Sequence, residues 1–175
     1  MKRLILWVPL AIFLIFVVTV AVRLQSGRDE TIKSRLVGKP LPDFALAPAA
    51  PGRPGLSTAD FRTDGPRLLN IFASWCVPCK IEAPQLEALK RTGVPIDAIA
   101  IRDKPEDVAQ FLAETGDPFQ RMGMDRDSRV QLALGSSGVP ETFVIDGAGI
   151  IRHQHIGVIN PDDVSEILAA YEAAK

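Results

Sequence analysis

The stretch that decides the fold expected for this chain is Trp75-Cys76-Val77-Pro78-Cys79-Lys80, which holds both of its cysteines two residues apart. The apolar run from residue 68 to residue 72 predicts a buried strand before it, and the pattern after Cys76 predicts a helix to about Arg91. Cys76 then lies at the start of a helix, where unpaired N–H groups favour a thiolate. We therefore predict a redox-active disulfide in which Cys76 is the nucleophile and Cys79 the resolving thiol.

The cysteine pair has other interpretations, which the sequence favours less. A structural disulfide closing so short a loop restricts the unfolded chain little. A structural zinc site needs a second cysteine pair or two suitably spaced histidines, and the sequence has neither. Covalent haem attachment needs His after the second cysteine, where Lys80 stands. Redox exchange is therefore the leading hypothesis.

The N-terminal residues predict a membrane anchor over residues 1–22. Lys2 and Arg3 are basic, and the nineteen residues from Leu4 to Val22 carry no charge. That length is about enough to cross the ~30 Å hydrocarbon core as a helix. A cleaved signal peptide is the alternative, although its apolar segment is usually shorter and ends in a small-residue cleavage site. A short basic N-terminus favours insertion with the rest of the chain in an oxidising compartment.

Beyond the anchor, the sequence predicts a tether over residues 23–38 and one domain over residues 39–175. Strands are predicted over residues 39–46, 67–73, 96–101, 119–122, 141–145 and 150–156. Helices are predicted over residues 76–91, 104–116, 128–134 and 161–174. This alternation, ending in a hairpin and a helix, predicts an α/β fold with a central mixed sheet flanked by helices. The net charge of the whole chain is −1, and the absence of a basic stripe argues against a nucleic-acid partner.

Two motifs together resemble the CcmG/DsbE family of membrane-anchored cytochrome c biogenesis proteins, within the thioredoxin superfamily. One is the cysteine stretch, and the other is Gly138-Val139-Pro140-Glu141-Thr142-Phe143, which matches the family's Gly-x-Pro-Glu-Thr-Phe. Glu82 matches the acidic residue of the active-site helix. The stretch from Gly38 to Phe44 also fits.

The resemblance implies a thioredoxin-like fold and a protein-disulfide oxidoreductase without a cofactor. It implies a reductant that keeps the cysteines of apocytochrome c, or of its maturation partners, reduced for haem attachment. It also implies a single-pass protein of the inner membrane whose soluble domain faces the periplasm. A transmembrane thiol reductant of the CcdA/DsbD type would recharge it.

Asn70 departs from the thioredoxin pattern, which has a buried Asp at this position. Because an amide cannot accept the proton that Cys79 loses, we expect Glu82 to accept it, directly or through a water. Glu141 is the second candidate, expected beside the disulfide. The plainer interpretation of either residue is a solvated carboxylate on a helix or at a strand edge.

Three further residues are expected to bind substrate or to shape its site. The resemblance implies that Pro140 is cis and presents Val139 for strand-like pairing with a substrate segment. A trans turn proline is the alternative. Trp75 is expected to shape the contact surface beside the disulfide, or to be purely structural.

Two other functions stay open at the level of sequence. One is a thiol reductase similar to ResA or TlpA. The other is a copper metallochaperone, although the Sco-like pattern has three residues between its cysteines and this chain has two. His153 and His155 share one face of a predicted strand, but no third ligand accompanies them, so no metal site is predicted.

Overall fold

The computed structural model describes residues 2–25, 34–62 and 65–175, which fall into two units, Met1–Thr31 and Ile32–Lys175. The first unit contains one helix, α1 (Lys2–Gln25), where the sequence predicts a helical anchor; the side chains described in it are those of residues 7–22. Of the helices in the described residues, none combines the length and apolar character needed to cross a membrane.

The second unit is built on a mixed five-stranded sheet, as predicted. The strands in chain order are β1 (Ala45–Leu46), β2 (Leu56–Ser57), β3 (Arg67–Phe72), β4 (Ile96–Ile101), β5 (Met122–Asp125), β6 (Glu141–Ile145) and β7 (Ile151–Ile156). The large sheet has the order β5-β4-β3-β6-β7, while β1 and β2 pair separately. β3 is parallel to β4 and antiparallel to β6. The central position of β3 explains its continuous apolar pattern, since it is covered on both faces.

Helices pack against this sheet and close its core. They are α2 (Val77–Arg91), α3 (Pro105–Thr115), α4 (Arg129–Ala133) and α5 (Asp163–Ala173). Phe72, at the end of β3, packs with its ring centroid 5.2 Å from those of both Phe111 and Phe119. Burial of aromatic side chains of this size stabilises a core strongly. The strand that leads to the cysteines is therefore anchored directly beneath them.

Three element boundaries differ from the sequence prediction. The strand expected over residues 39–46 is reduced to β1 and an isolated bridge at Pro40, because proline has no N–H for a ladder. The strand after α3 begins at Met122 rather than residue 119. α5 begins at Asp163, whose carboxylate accepts a hydrogen bond from the Asn160 N–H at 2.8 Å.

The second unit also includes residues ahead of position 39, where the domain is predicted to begin. Ser34 is buried, and the Gly38 N–H donates to the Ile151 carbonyl at 2.7 Å. The segment from residue 34 to residue 38 is therefore bonded to the sheet at Gly38 and buried at Ser34.

Candidate active site

Cys76 and Cys79 form a disulfide bond with their Cα atoms 5.3 Å apart. Cys76 is the N-cap residue of α2, and its Sγ accepts a hydrogen bond from the Cys79 N–H at 3.2 Å. Pro78 fits in the first turn because no helical partner is needed for its missing N–H. Cys76 is 4% exposed and Cys79 2% exposed, so exposure in this oxidised state barely distinguishes them. Cys76 differs from Cys79 in lying at the helix N-terminus, a position that favours a thiolate.

Asp103 holds the turn that precedes Cys76, a contact that the sequence analysis missed. Its buried carboxylate accepts hydrogen bonds from the Ser74 N–H at 2.6 Å and from the Ser74 hydroxyl at 2.7 Å. The Trp75 indole N–H donates to the carbonyl of Arg102 at 3.2 Å. The sequence offered one signal for this contact: Asp103 follows a parallel strand, and the ends of parallel strands meet at the sheet edge where the cysteines lie.

Three apolar side chains close to the cysteines in the sequence are exposed. Trp75, Val77 and Ile81 are 55%, 65% and 61% exposed. A cavity of about 300 Å³ adjoins Trp75 and is also lined by Lys80 and Phe111. An apolar rim of this kind is typical of a surface that contacts another protein.

Glu82 is completely buried on the face of α2 that carries Cys79. Its Oε1 accepts a hydrogen bond from the Asn70 amide at 2.9 Å, and its Oε2 accepts one from the Ile159 N–H at 3.1 Å. Desolvation raises the pKa of Glu82 from 4.5 to about 7, against the opposing effect of these two hydrogen bonds. Glu82 is therefore not a solvated helix residue.

Cys79 and Glu82 line the same narrow cavity, together with Asn70. Asn70 donates a second hydrogen bond to the Thr142 hydroxyl at 3.0 Å. Its amide thus orients the carboxyl of Glu82, while Glu82 is the titratable group.

The Val139–Pro140 peptide bond is cis, which confirms the prediction for Pro140. Ile71 in β3 pairs with Glu141, so this bond lies at the sheet edge from which β3 leads to Cys76. Pro140 is buried and Val139 is half-buried. The backbone N–H and C=O of Val139 form no hydrogen bond within the described part of the chain, which leaves them available for pairing.

Glu141 differs from the expectation of a charge beside the disulfide. It is 1% exposed, and its carboxylate accepts hydrogen bonds from the Ser137 N–H, the Ser137 hydroxyl and the Gln154 amide at 2.8, 2.6 and 3.2 Å. Because side chains alternate along a strand, it points to the sheet face opposite to Thr142 and Asn70. Its side chain therefore supports the loop that contains Pro140 and does not reach Glu82.

The two histidines lie on the edge strand β7. His153 Nε2 is 3.8 Å from a carboxylate oxygen of Glu166, and His155 Nε2 is 3.2 Å from the Val158 carbonyl oxygen. Within residues 2–25, 34–62 and 65–175, no three or more His, Cys, Asp or Glu side chains are grouped to hold a metal ion.

Comparison with known proteins gives consistent results. The Redoxin family model matches residues 36–171. The thiol:disulfide interchange protein DsbE of Pseudomonas fluorescens is 41% identical over 179 residues, covering 99% of this chain and 96% of that protein. HelX of Rhodobacter capsulatus is 35% identical, covering 95% and 94%, and DsbE of Escherichia coli is 39% identical, covering 92% and 89%. A crystal structure of a DsbE protein from Chlorobium tepidum superposes with a TM-score of 0.61 at 28% identity, covering 79% of this chain and 96% of that one.

Proposed function

This chain belongs to the DsbE/HelX family of thiol:disulfide interchange proteins. We propose that it reduces protein disulfides for cytochrome c maturation. It has a thioredoxin-like fold and is a protein-disulfide oxidoreductase. The observation that carries the proposal is the Cys76–Cys79 pair at a helix N-terminus, next to the buried carboxyl of Glu82. The proposed substrates are cysteines of apocytochrome c, or of a maturation partner, which must be thiols before they bond to haem.

The exchange proceeds in two steps at the dithiol. The Cys76 thiolate attacks one sulfur of the partner's disulfide, which forms a mixed disulfide and releases the other partner sulfur as a thiolate. Cys79 then attacks the Sγ of Cys76, forms the intramolecular disulfide and releases the second partner thiolate. Two electrons pass to the partner, and the two protons lost by the cysteines balance those gained by its thiolates. The disulfide seen here is the end state of this reaction.

Glu82 is proposed to handle the proton of the resolving step. Cys79 must lose a proton as it attacks, and Glu82 lines the same cavity. A carboxyl with a pKa of about 7 both accepts and returns a proton at neutral pH. Asn70 and the Ile159 N–H hold both oxygens of this carboxyl in place.

Partner binding is proposed to use Val139 and the apolar rim. An extended partner segment would pair with the unpaired backbone of Val139. Trp75, Val77 and Ile81 would cover the apolar residues that flank the partner's cysteine.

Membrane anchoring is part of the proposal and rests on the nineteen uncharged residues from Leu4 to Val22. With the N-terminus in the cytoplasm, the second unit, which contains the disulfide, would face the periplasm. A transmembrane thiol reductant of the CcdA/DsbD type would then return electrons through the same disulfide. Resistance of the full chain to alkaline extraction from membranes, with protease access from the periplasmic side, tests this arrangement; release into the soluble fraction contradicts it.

Trapping of partners tests the function directly. In cells that express the full chain, Cys79→Ser should accumulate mixed disulfides through Cys76, while Cys76→Ser should accumulate none. Cytochrome c maturation proteins in the trap support the proposal. Copper-site assembly proteins would instead indicate a ResA/TlpA-like reductase, and unselective trapping a general oxidoreductase.

The reduction potential tests the direction of electron flow. Equilibration of the full chain with glutathione should give a value well below −200 mV, as in thiol reductants. A value near −120 mV, as in a strong oxidant, would overturn the proposed role as a reductant.

A further inference from the structure

Ser34, the first described residue of the second unit, makes two buried hydrogen bonds. It is 5% exposed. Its N–H donates to Oε1 of Gln154 at 2.6 Å, and its hydroxyl donates to the Leu134 carbonyl at 2.6 Å. These contacts span 120 and 100 positions of the sequence. The beginning of the unit is thus bonded to β7 and to the end of α4.

Gln154, on the edge strand β7, forms hydrogen bonds with both Ser34 and Glu141. Gln154 is 7% exposed, and its amide donates to Oε2 of Glu141 at 3.2 Å while its oxygen accepts from Ser34. The other oxygen of Glu141 accepts both the N–H and the hydroxyl of Ser137, two residues before Val139. A continuous chain of buried polar groups therefore runs from Ser34 to the loop that precedes Pro140.

This network holds the loop over residues 135–139 at its first end and at its middle. Ser34 bonds Leu134 just before the loop, and Glu141 bonds Ser137 inside it. The packing at the first end is close, since a Cβ on Gly135 would lie 2.7 Å from the Ser34 hydroxyl oxygen. Gly135 also has a φ of +70°, which favours glycine.

The other hydrogen bonds of the loop are local: the Ser136 N–H donates to the Gln131 carbonyl at 3.1 Å, and the Ser136 hydroxyl donates to the Gly138 carbonyl at 3.0 Å. Ser137 is exposed, and Gly138 and Val139 are half-buried. Hydrogen bonds in a buried network are electrostatically stronger than bonds in water, and they fix geometry when every member is satisfied. A loop ordered before the partner arrives avoids the ordering cost on binding. The network therefore acts on partner affinity without touching the cysteines.

We propose that Ser34, Gln154 and Glu141 are positioning residues that hold the loop over residues 135–139 ready to pair with a partner segment. Ser34, at the beginning of the second unit, thereby contributes to partner recognition. This inference rests on the proposed pairing of a partner with Val139.

The test uses the full chain, reduced, in single-turnover reactions with a disulfide-containing peptide at increasing concentration. Ser34→Ala and Gln154→Leu each remove network bonds. Both should raise the half-saturating peptide concentration about 3- to 10-fold, the effect of losing one or two hydrogen bonds, with the maximal rate within about twofold of wild type. The rate with a small aromatic disulfide, which has no backbone to pair, should be unchanged.

Matched variants separate positioning from general damage. Ser137→Thr keeps the hydroxyl and should behave as wild type, while Ser137→Ala should show the raised half-saturating concentration. Ser137 is exposed, so both variants should fold even if Gln154→Leu does not. Gln120→Leu, which loses an exposed bond to Arg67 far from the loop, should change neither reaction.

Two results would overturn the inference. One is unchanged peptide half-saturation in Ser34→Ala and in Ser137→Ala; the other is an equal loss with the peptide and the small disulfide. A peptide N-methylated on its backbone beside the cysteine separates this failure from that of the proposed pairing. If N-methylation does not weaken saturation of the wild type, the pairing itself is wrong. If it does, and the variants still behave as wild type, only the network's role is wrong.

Discussion

At the scale of single residues, burial gives Glu82 its chemistry. Removal from water raises the pKa of its carboxyl to about 7, and the Asn70 amide and Ile159 N–H, which favour the charged form, only partly offset this. The group is therefore half ionised near neutral pH. An exposed glutamate such as Glu106 has no such burial and serves as a comparison.

Replacement of Glu82 should slow the resolving step and remove its pH dependence. In the wild type, resolution of a Cys76 mixed disulfide should slow as the pH falls through about 7, because a protonated Glu82 cannot accept the proton of Cys79. Glu82→Gln should be about tenfold or more slower at pH 8 and lack that inflection. Stopped-flow measurement of peptide release reports the rate, with Glu106→Gln as the control. Equal rates for Glu82→Gln and wild type from pH 5 to pH 8 would remove Glu82 from the mechanism.

The two thiols should also differ in reactivity. In the reduced protein, Cys76 should be alkylated at least about tenfold faster than Cys79 at pH 7, because only Cys76 lies at the N-cap of α2. Mass spectrometry after brief treatment with iodoacetamide measures both rates in one sample. Faster labelling of Cys79 would reverse the assigned roles.

At the scale of elements, β3 carries an ion pair at one end and leads to the disulfide at the other. Arg67 Nε donates to Oδ2 of Asp97 at 2.6 Å, and Asp97 is fully buried. Burial raises the pKa of Asp97, and the hydrogen bond and charge of Arg67 oppose that rise. Loss of either partner would leave a buried group without its counterion, and the pair stands apart from the cysteine chemistry.

Removal of the cation should destabilise the fold without changing the site. Arg67→Met leaves the Asp97 carboxylate buried without its cation and with only the Arg121 N–H as a donor, so the free energy of unfolding should fall by about 3 kcal/mol at pH 8. The loss should be smaller at pH 5, where Asp97 can take up a proton instead. Urea denaturation measures both values.

The matched control for this change is an exposed pair on the same unit. Arg129 Nε lies 3.8 Å from Oδ2 of Asp127, with side chains 86% and 72% exposed, so Arg129→Met should cost about 1 kcal/mol or less. The reduced Arg67→Met protein should react with a small disulfide at the wild-type rate. A slower reaction would mean that the ion pair influences the site.

At the scale of the whole molecule, the raised pKa of Glu82 makes stability depend on pH. Between pH 4.5 and about 7 the folded state holds a proton that the unfolded chain has released. The free energy of unfolding of the oxidised protein should therefore fall as the pH rises through this range, by up to about 3 kcal/mol from this group.

Glu82→Gln should remove this contribution. The stability of the variant relative to the wild type should be greater at pH 8 than at pH 5, as measured by urea denaturation of the two oxidised proteins. The same difference at both pH values would mean that burial does not shift the ionisation of Glu82 in the folded state.

Much of this molecule follows from local patterns in the sequence. The spacing of Cys76 and Cys79 after an apolar run specifies a dithiol at a helix start, and the alternation of elements specifies a mixed sheet with flanking helices. The motif around Pro140 identifies the cis-proline loop. These features are determined over a few residues, by periodicity, capping and resemblance of short motifs.

The tertiary structure alone decided how the polar groups are used. Glu82 is buried because Asn70 and the Ile159 N–H, 12 and 77 positions away, meet its two oxygens. The Glu141 side chain is buried because Ser137 and Gln154 donate hydrogen bonds to its carboxylate. The sequence analysis expected this carboxylate to lie beside the disulfide instead. Burial and hydrogen bonding between distant residues set these roles, and no local pattern contains that information, since each group's partners come together only when the sheet is assembled.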